Sequence, residues 1–193
     1  MATDPSHPAP GRLELVRSLV NTEDRYGGHD ELADPERAGA WLADRWPSTP
    51  RRTLAAGRFD GLLRLRATVR DLVAATTEGR PPRRETVAEF NRLAAAQPHV
   101  VRLDLDDAEG LSSTLRAHRR GDLPFAGEVV AAVHEAVGAG TWSRLKACAN
   151  PECGWLFYDV SRSRTGRWCS MAACGSLHKA RAYRNRRRDR AGP

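Results

Sequence analysis

The chain has 193 residues, 40% of them apolar, 28% charged and only 6% aromatic. That length suits one ordinary domain or a domain with a small accessory module, and the composition is that of a globular protein rather than a collagenous or disulfide-dense one. No run approaches the roughly 18 apolar residues of a spanning helix, so no membrane partner is expected. The formal net charge of +7 is unevenly placed, −2 through Gly140 and +9 beyond it; a basic segment of this kind attracts polyanions such as nucleic acid. Of the 31 basic residues only Lys146 and Lys179 are lysines, so arginine richness by itself says less than its location.

The N-terminus, Met1 to Pro10, carries neither the basic n-region nor the apolar h-region of a secretory signal, which leads to the expectation of a cytoplasmic protein with reduced thiols. Residues 1–10 are expected to lack structure. Leu13, Val16, Leu19 and Val20 then predict a helix by their spacing. Asp34-Pro35 reads as an N-cap followed by an N1 proline, leading into a second helix with Ala38, Trp41 and Leu42 inward, and Thr49-Pro50 repeats that start signal. Leu62, Leu65, Val69, Leu72, Val73 and Thr76 sustain helical spacing until Gly79 and Pro81-Pro82 stop it. Val87, Phe90 and Ala94 mark another helix that ends before Pro98.

The pattern then changes. Val101, Leu103 and Leu105 alternate with polar residues, Asp106 to Gly110 is turn-like, and a second alternating run continues through Leu115, which predicts one β-hairpin. Phe125, Val129, Val130, Val133 and Val137 return to helical spacing, released by Gly138 and Gly140. Trp41 and Trp46 are core or interface candidates, and His134, set among valines, reads as a core or groove-lining histidine. The fold class expected is mainly α: a helical N-terminal domain, 1–140, with one β-hairpin, followed by a separate module at 141–193.

No G-x-G-x-x-G, P-loop, H-E-x-x-H or G-x-S-x-G occurs, and no enzyme is expected. Asp104, Asp106, Asp107 and Glu109 lie in a hairpin turn, where Asp and Gly are favoured for conformational reasons, so they read as solvated loop carboxylates rather than a paired acid site.

The chemistry concentrates near the C-terminus. Cys148, Cys153, Cys169 and Cys174 follow C-x4-C-x15-C-x4-C. Two close pairs separated by a loop suit one tetrahedral zinc ion, because each pair turns two thiolates toward the same point. Gly154 and Gly175 each follow the second cysteine of a pair, where a knuckle brings its backbone close or needs positive φ. The alternatives are two disulfides, in three connectivities, or unligated buried thiols. With no secretory signal, oxidising conditions are not expected. Four thiolates fill the shell, so the zinc would be structural, not catalytic. His178 is a substitute ligand in principle, but a surface histidine at the start of a basic helix is the simpler reading.

Trp155 to Tyr158 predicts a short strand, Ser161 to Gly166 a turn, and Arg167-Trp168 a returning strand into Cys169. Gly175 to Arg190 contains no proline and reads as a helix. The order knuckle, hairpin, basic helix is that of a treble-clef-like or ribbon-like zinc module, and a unit this small takes its folding free energy from the metal, on the order of 10 kcal/mol or more. Lys179, Arg181, Arg184, Arg186, Arg187, Arg188 and Arg190 face a single acid, Asp189. Lys179, Tyr183, Arg186, Arg187 and Arg190 share one helical face. A helix fits the major groove, and arginine contacts phosphates or reads guanine edges. Arg162, Arg164 and Arg167 would extend the same surface. The opposing reading is a solvated tail.

Cys148-x4-Cys153-Gly-Trp-Leu-Phe, Asp159, Ser161-Arg, Arg167-Trp-Cys-Ser170, Cys174-Gly175 and Lys179 together resemble the CGNR zinc finger. The upstream region, with Leu19-Val-Asn-Thr22 near its start, resembles the ABATE domain that usually precedes this finger in proteins described as stress-induced bacterial transcription regulators. The resemblance implies four cysteine ligands on one zinc, DNA binding and a role in transcription. Where the name-giving motif has Asn and Arg this chain has Ser176 and Leu177. The zinc site survives that change, and any contact made by the missing pair does not. The expected partners are DNA, a small-molecule effector or protein partner of the N-terminal domain, and a second copy in a homodimer. The alternative is an RNA-binding or protein-interaction zinc module.

Overall fold

The computed structural model describes residues 8–46, 51–106, 110–118 and 123–190. Six helices and three two-stranded antiparallel ladders appear among them in the order α1 (Leu13–Val20), β1 (Glu23–Asp24), β2 (His29–Asp30), α2 (Pro35–Arg45), α3 (Ala56–Thr77), α4 (Arg84–Ala95), β3 (His99–Asp106), β4 (Gly110–Ala117), α5 (Pro124–Gly138), β5 (Leu145–Ala147), β6 (Leu156–Tyr158) and α6 (Ser176–Arg190). The fold is mainly α with small hairpins, as the periodicity predicts. The start signal Thr49-Pro50 lies outside the described residues; α3 begins at Ala56. Of the segment 1–10, residues 8–10 are described, and Ala9 is buried with its N–H on the Glu14 carboxylate at 2.7 Å.

The core is the meeting of α1, α2, α3 and α5. Val16, Leu19 and Val20, Leu42, Leu62, Leu65, Val69 and Val73, and Val129 have no exposed surface or nearly none. Each helix supplies the residues that its i, i+3, i+4 spacing places on one side. Asp34 caps α2 as expected, accepting from the N–H groups of Glu36 and Arg37 at 3.0 and 2.8 Å. Trp41 meets Phe125 edge-on at 5.3 Å, and Trp46 meets the same ring at 6.3 Å, so both tryptophans are structural. On α4, Phe90, Leu93 and Ala94 pack partly against the core while Val87 is exposed. His134 is exposed, not in the core or a groove. The buried face of α5 runs through Phe125, Val129, Val130, Val133 and Ala136, leaving His134 and Val137 to solvent.

Buried cations knit the N-terminal half, and the apolar pattern could not show them. Arg66 on α3 donates to both carboxylate oxygens of Asp30 at 2.6 and 2.9 Å and to the Thr22 hydroxyl at 2.9 Å. One turn on, Arg70 pairs with Glu23 at 2.6 Å and donates to the Val20 carbonyl at 3.0 Å. The short β1–β2 ladder holds Glu23 and Asp30 beside these guanidiniums. Burial opposes the charge on Asp30, but Arg66, the Leu32 N–H and Arg70 together hold its carboxyl below the usual carboxylate range.

The last module shares this core. Leu145 of β5 and Leu156 of β6 are fully buried within the helical cluster, whereas Phe157, on the opposite face of β6, and Trp155, just before that strand, belong to a second cluster around the cysteines. A strand's period of two thus serves two cores at once. Trp142 Nε1 donates to the Thr76 hydroxyl at 3.1 Å and the Ala147 N–H to the Thr77 hydroxyl at 2.9 Å, fixing the module to the end of α3. No helix among the described residues is long and apolar enough to cross a membrane.

Candidate metal centre and basic surface

Strands β5 and β6 pair through Leu145–Tyr158, Lys146–Phe157 and Ala147–Leu156. Cys148 leaves the end of β5 and Cys153 lies in the return toward β6, so the first cysteine pair sits in the turn of this hairpin. Gly154 adopts φ +69°, and a side chain there would also press on Arg25, which accounts for glycine at the knuckle. Gly175 is not in the positive-φ region; a Cβ there would come within 2.9 Å of Met171 Sδ, so it serves close packing instead.

The expected return strand does not form. The partner of β6 is β5, upstream of the first cysteine, and Arg167-Trp168 lies in a loop. That loop folds around Asp159. Its buried carboxylate accepts from Lys146 Nζ at 2.7 Å, the Ser161 hydroxyl at 2.6 Å, and the N–H groups of Ser161 and Gly166 at 3.0 and 2.8 Å. Burial penalises this charge, yet Lys146, Ser161 and the two N–H groups outweigh it and hold the carboxyl well below its ordinary range. Lys146 also donates to the Arg164 carbonyl, and Arg144 to the carbonyls of Asp159 and Ser161 at 3.0 and 3.2 Å. Sequence reasoning gave Lys146 no role; the one signal available was Asp-x-Ser, which favours an Asx turn at Asp159.

The loop delivers Cys169, and Cys174 follows in a single π-type turn, Met171–Gly175, that runs straight into α6. The Ser170 hydroxyl accepts from the Ala173 N–H at 3.3 Å and starts that turn. All four sulfurs lie within 4.8 Å of one another, with Cys153–Cys169 at 3.6 Å and Cys169–Cys174 at 3.7 Å. A tetrahedron of thiolates at 2.3 Å from zinc has edges of about 3.8 Å. The donors therefore fit one zinc ion, and none of the four cysteines is in a disulfide. Trp155 and Phe157 shield the cluster, and Asn150 Nδ2 donates to Cys174 Sγ at 3.6 Å. His178 is not part of it: exposed, it stacks on Trp168 at 4.7 Å.

Cys148, Cys153 and Cys169 resist ionising together. Hydrogen bonds from Cys153 and Cys169 pull Cys148 far below the ordinary thiol range, while the bond to Cys148 pushes Cys153 up to about 12, and bonds to Cys148 and Cys153 raise Cys169 further. A bound zinc dication would supply the positive charge that favours thiolate at its cysteine ligands.

Around this centre the expected nucleic-acid contacts are mostly exposed. Arg162, Arg164 and Arg167 line the outside of the loop, and Arg167 lies over the Trp168 ring at 5.3 Å. Since Trp168 also stacks on His178, Arg167 and the start of α6 are joined by one stack. Lys179, Arg181, Tyr183, Arg184 and Arg186 are exposed along α6. Arg181 pairs with Glu152 of the knuckle at 2.8 Å, an exposed contact of small worth. The side chains of Arg187 and Arg188 lie outside the described residues, though their backbone belongs to α6. Ser176, which is exposed, donates to the Met171 carbonyl at 3.0 Å, closing the π-type turn, and Leu177 is half-buried.

Residues 144–187 match the CGNR zinc finger family, and residues 13–141 match the family described as "Putative stress-induced transcription regulator" (ABATE), which covers most of the chain. The chain belongs to the ABATE family. Its zinc finger follows directly, with the four clustered cysteines inside the matched span. No curated protein matches the chain. The two matches agree with the geometry of a zinc-binding regulator: a helical part followed by a metal-shaped finger that shares its core.

Proposed function

We propose that this ABATE protein is a cytoplasmic, zinc-dependent regulator of transcription that binds duplex DNA through its C-terminal module, 141–193. One observation carries the reading. Cys174 closes the sulfur cluster from within the π-type turn that runs directly into α6, so a metal held there would set the direction of a helix whose Lys179, Arg181, Arg184 and Arg186 are exposed. Arg181 is the only one of these four paired with a carboxylate among the described residues. Exposed cations along a helix are available to phosphates, and the loop residues Arg162, Arg164 and Arg167 continue the surface toward the helix N-terminus. Arg187 and Arg188 lie on the same helix.

The helical part, 1–140, is the sensing half in this account. A groove of about 1070 Å³ lies under the polar side of the β3–β4 hairpin, lined by Trp46, Arg102, Asp104, Arg116, His118 and Glu128. Its mixed charge and one aromatic ring suit a small polar effector. Reading duplex DNA as a homodimer would match a two-fold site.

Fluorescence anisotropy with labelled duplex at several salt concentrations tests the DNA reading. The logarithm of affinity falls linearly with the logarithm of salt, and Arg184→Ala and Arg186→Ala each lower the slope by about one. No binding at low salt refutes it, and preference for RNA or heparin over duplex would favour an RNA-binding or protein-interaction module.

A further inference from the structure

Among the described residues, the β3–β4 hairpin leaves the body of the protein with an apolar face uncovered. At its base, the Ala117 side chain packs against Gly127 of α5, and a ring nitrogen of His99 meets the Gly127 carbonyl at 2.9 Å. Cross-strand partners share a face, and the register continues that face outward through Val101 opposite Leu115, Leu103 opposite Ser113 and Leu105 opposite Leu111. Past α5 nothing among the described residues lies over it. Val101 is 68% exposed, Leu103 62%, Leu105 85% and Leu111 68%. The other face, with Arg102, Asp104, Thr114 and Arg116, lines the groove already described. Antiparallel sheets normally turn their apolar face to the core and their polar face to water. A hairpin without a third strand is marginal in water unless something packs on it.

We propose that a second copy of this chain packs on this face, the two hairpins lying against each other across a two-fold axis. The inference deepens the homodimer suggested for the DNA reading but does not depend on DNA. None of the six residues of the face is charged, so an acidic or basic partner would find no counter-charge there, whereas the same neutral face on a second copy adds no local like-charge contact. Area agrees. The fractional exposures correspond to roughly 500 Å² of apolar side chain, at the upper end of what monomers leave open. That supplies much of the roughly 800 Å² per partner of a stable interface. An isologous contact needs one self-complementary patch, and a flat, neutral, apolar face is that.

Sedimentation equilibrium of the zinc-loaded full chain, without DNA, tests this. The wild type sediments as a dimer at micromolar concentration, and a Leu103→Lys, Leu105→Glu double variant dissociates about a hundredfold more readily, with zinc content and far-UV circular dichroism unchanged. Should that variant fail to fold, Leu105→Ser and Leu111→Thr replace it, and amide exchange in 99–106 and 110–117 slows with wild-type concentration. A wild-type monomer throughout the micromolar range overturns the proposal, as does a dimer whose affinity the substitutions leave intact. Because no DNA is present, either result leaves the DNA reading to its own test.

Discussion

The side-chain amide of Asn21, at the end of α1, is hydrogen-bonded to both backbone groups of Leu156 in the zinc module, accepting from its N–H at 2.7 Å and donating to its carbonyl at 2.9 Å. Asn21 acts as a one-residue strand on the edge of β6. It satisfies polar groups that would otherwise be buried beside a fully buried leucine, and it ties the finger to the helical part. Asn21→Ala leaves a donor and an acceptor without partners and should cost about 2 kcal/mol. Urea denaturation should show a lowered midpoint with zinc content retained.

The thiolate cluster makes a different prediction. Replacing Cys148 or Cys169 by Ser should abolish stoichiometric zinc and release the second core, at a cost on the order of 10 kcal/mol to that region. Trp155 and Trp168 flank the sulfurs, so tryptophan emission should shift to the red on chelation. The far-UV signal of α1 to α5, built on a separate apolar cluster, should largely persist.

Asp159 sets an acid limit. Its folded pKa lies below its unfolded value near 3.9, so its contribution is complete above that value and is lost as pH falls below it toward the folded value. Asp159→Asn removes this acid dependence and leaves Lys146, nearly buried, without its counter-charge. Breaking such a pair costs about 3 kcal/mol. Thermal unfolding of both proteins between pH 2 and pH 5 should show the wild-type loss of stability below about pH 4 flattened in the variant.

Gly39, inside α2, tests packing against propensity. Alanine is about 1 kcal/mol better than glycine in a helix interior, but a Cβ at this position would stand 1.8 Å from the Arg52 carbonyl oxygen. The neighbour is backbone and has little room to retreat, so the clash wins. Gly39→Ala should destabilise by about 2 kcal/mol or more in urea unfolding.

The legible parts of this chain are those governed by one local rule. Alternation at Val101, Leu103 and Leu105 marked the long hairpin, helical spacing marked α1, α3 and α5, and cysteine spacing marked the metal cluster. Misplacing the finger's hairpin has a physical reason. Leu145-Lys-Ala is too short to show a strand pattern, and Arg167-Trp168 resembles a strand while Asp159 claims the surrounding backbone donors. Buried Arg66 and Arg70 were invisible because arginine on a charged helix reads as surface until its carboxylate partners, 36 and 47 residues away in the chain, are in place. His134 is exposed despite its valine neighbours because apolar neighbours in sequence are not neighbours on a helix face.

The central claim is that the metal cluster shapes α6 and the loop arginines into a DNA-binding surface. It is tested most directly by measuring duplex affinity at low salt for the zinc-loaded protein, for the same protein after chelation, and after zinc is restored. The account predicts strong binding that falls at least tenfold on chelation and returns with zinc. Equal affinity in all three states would contradict it.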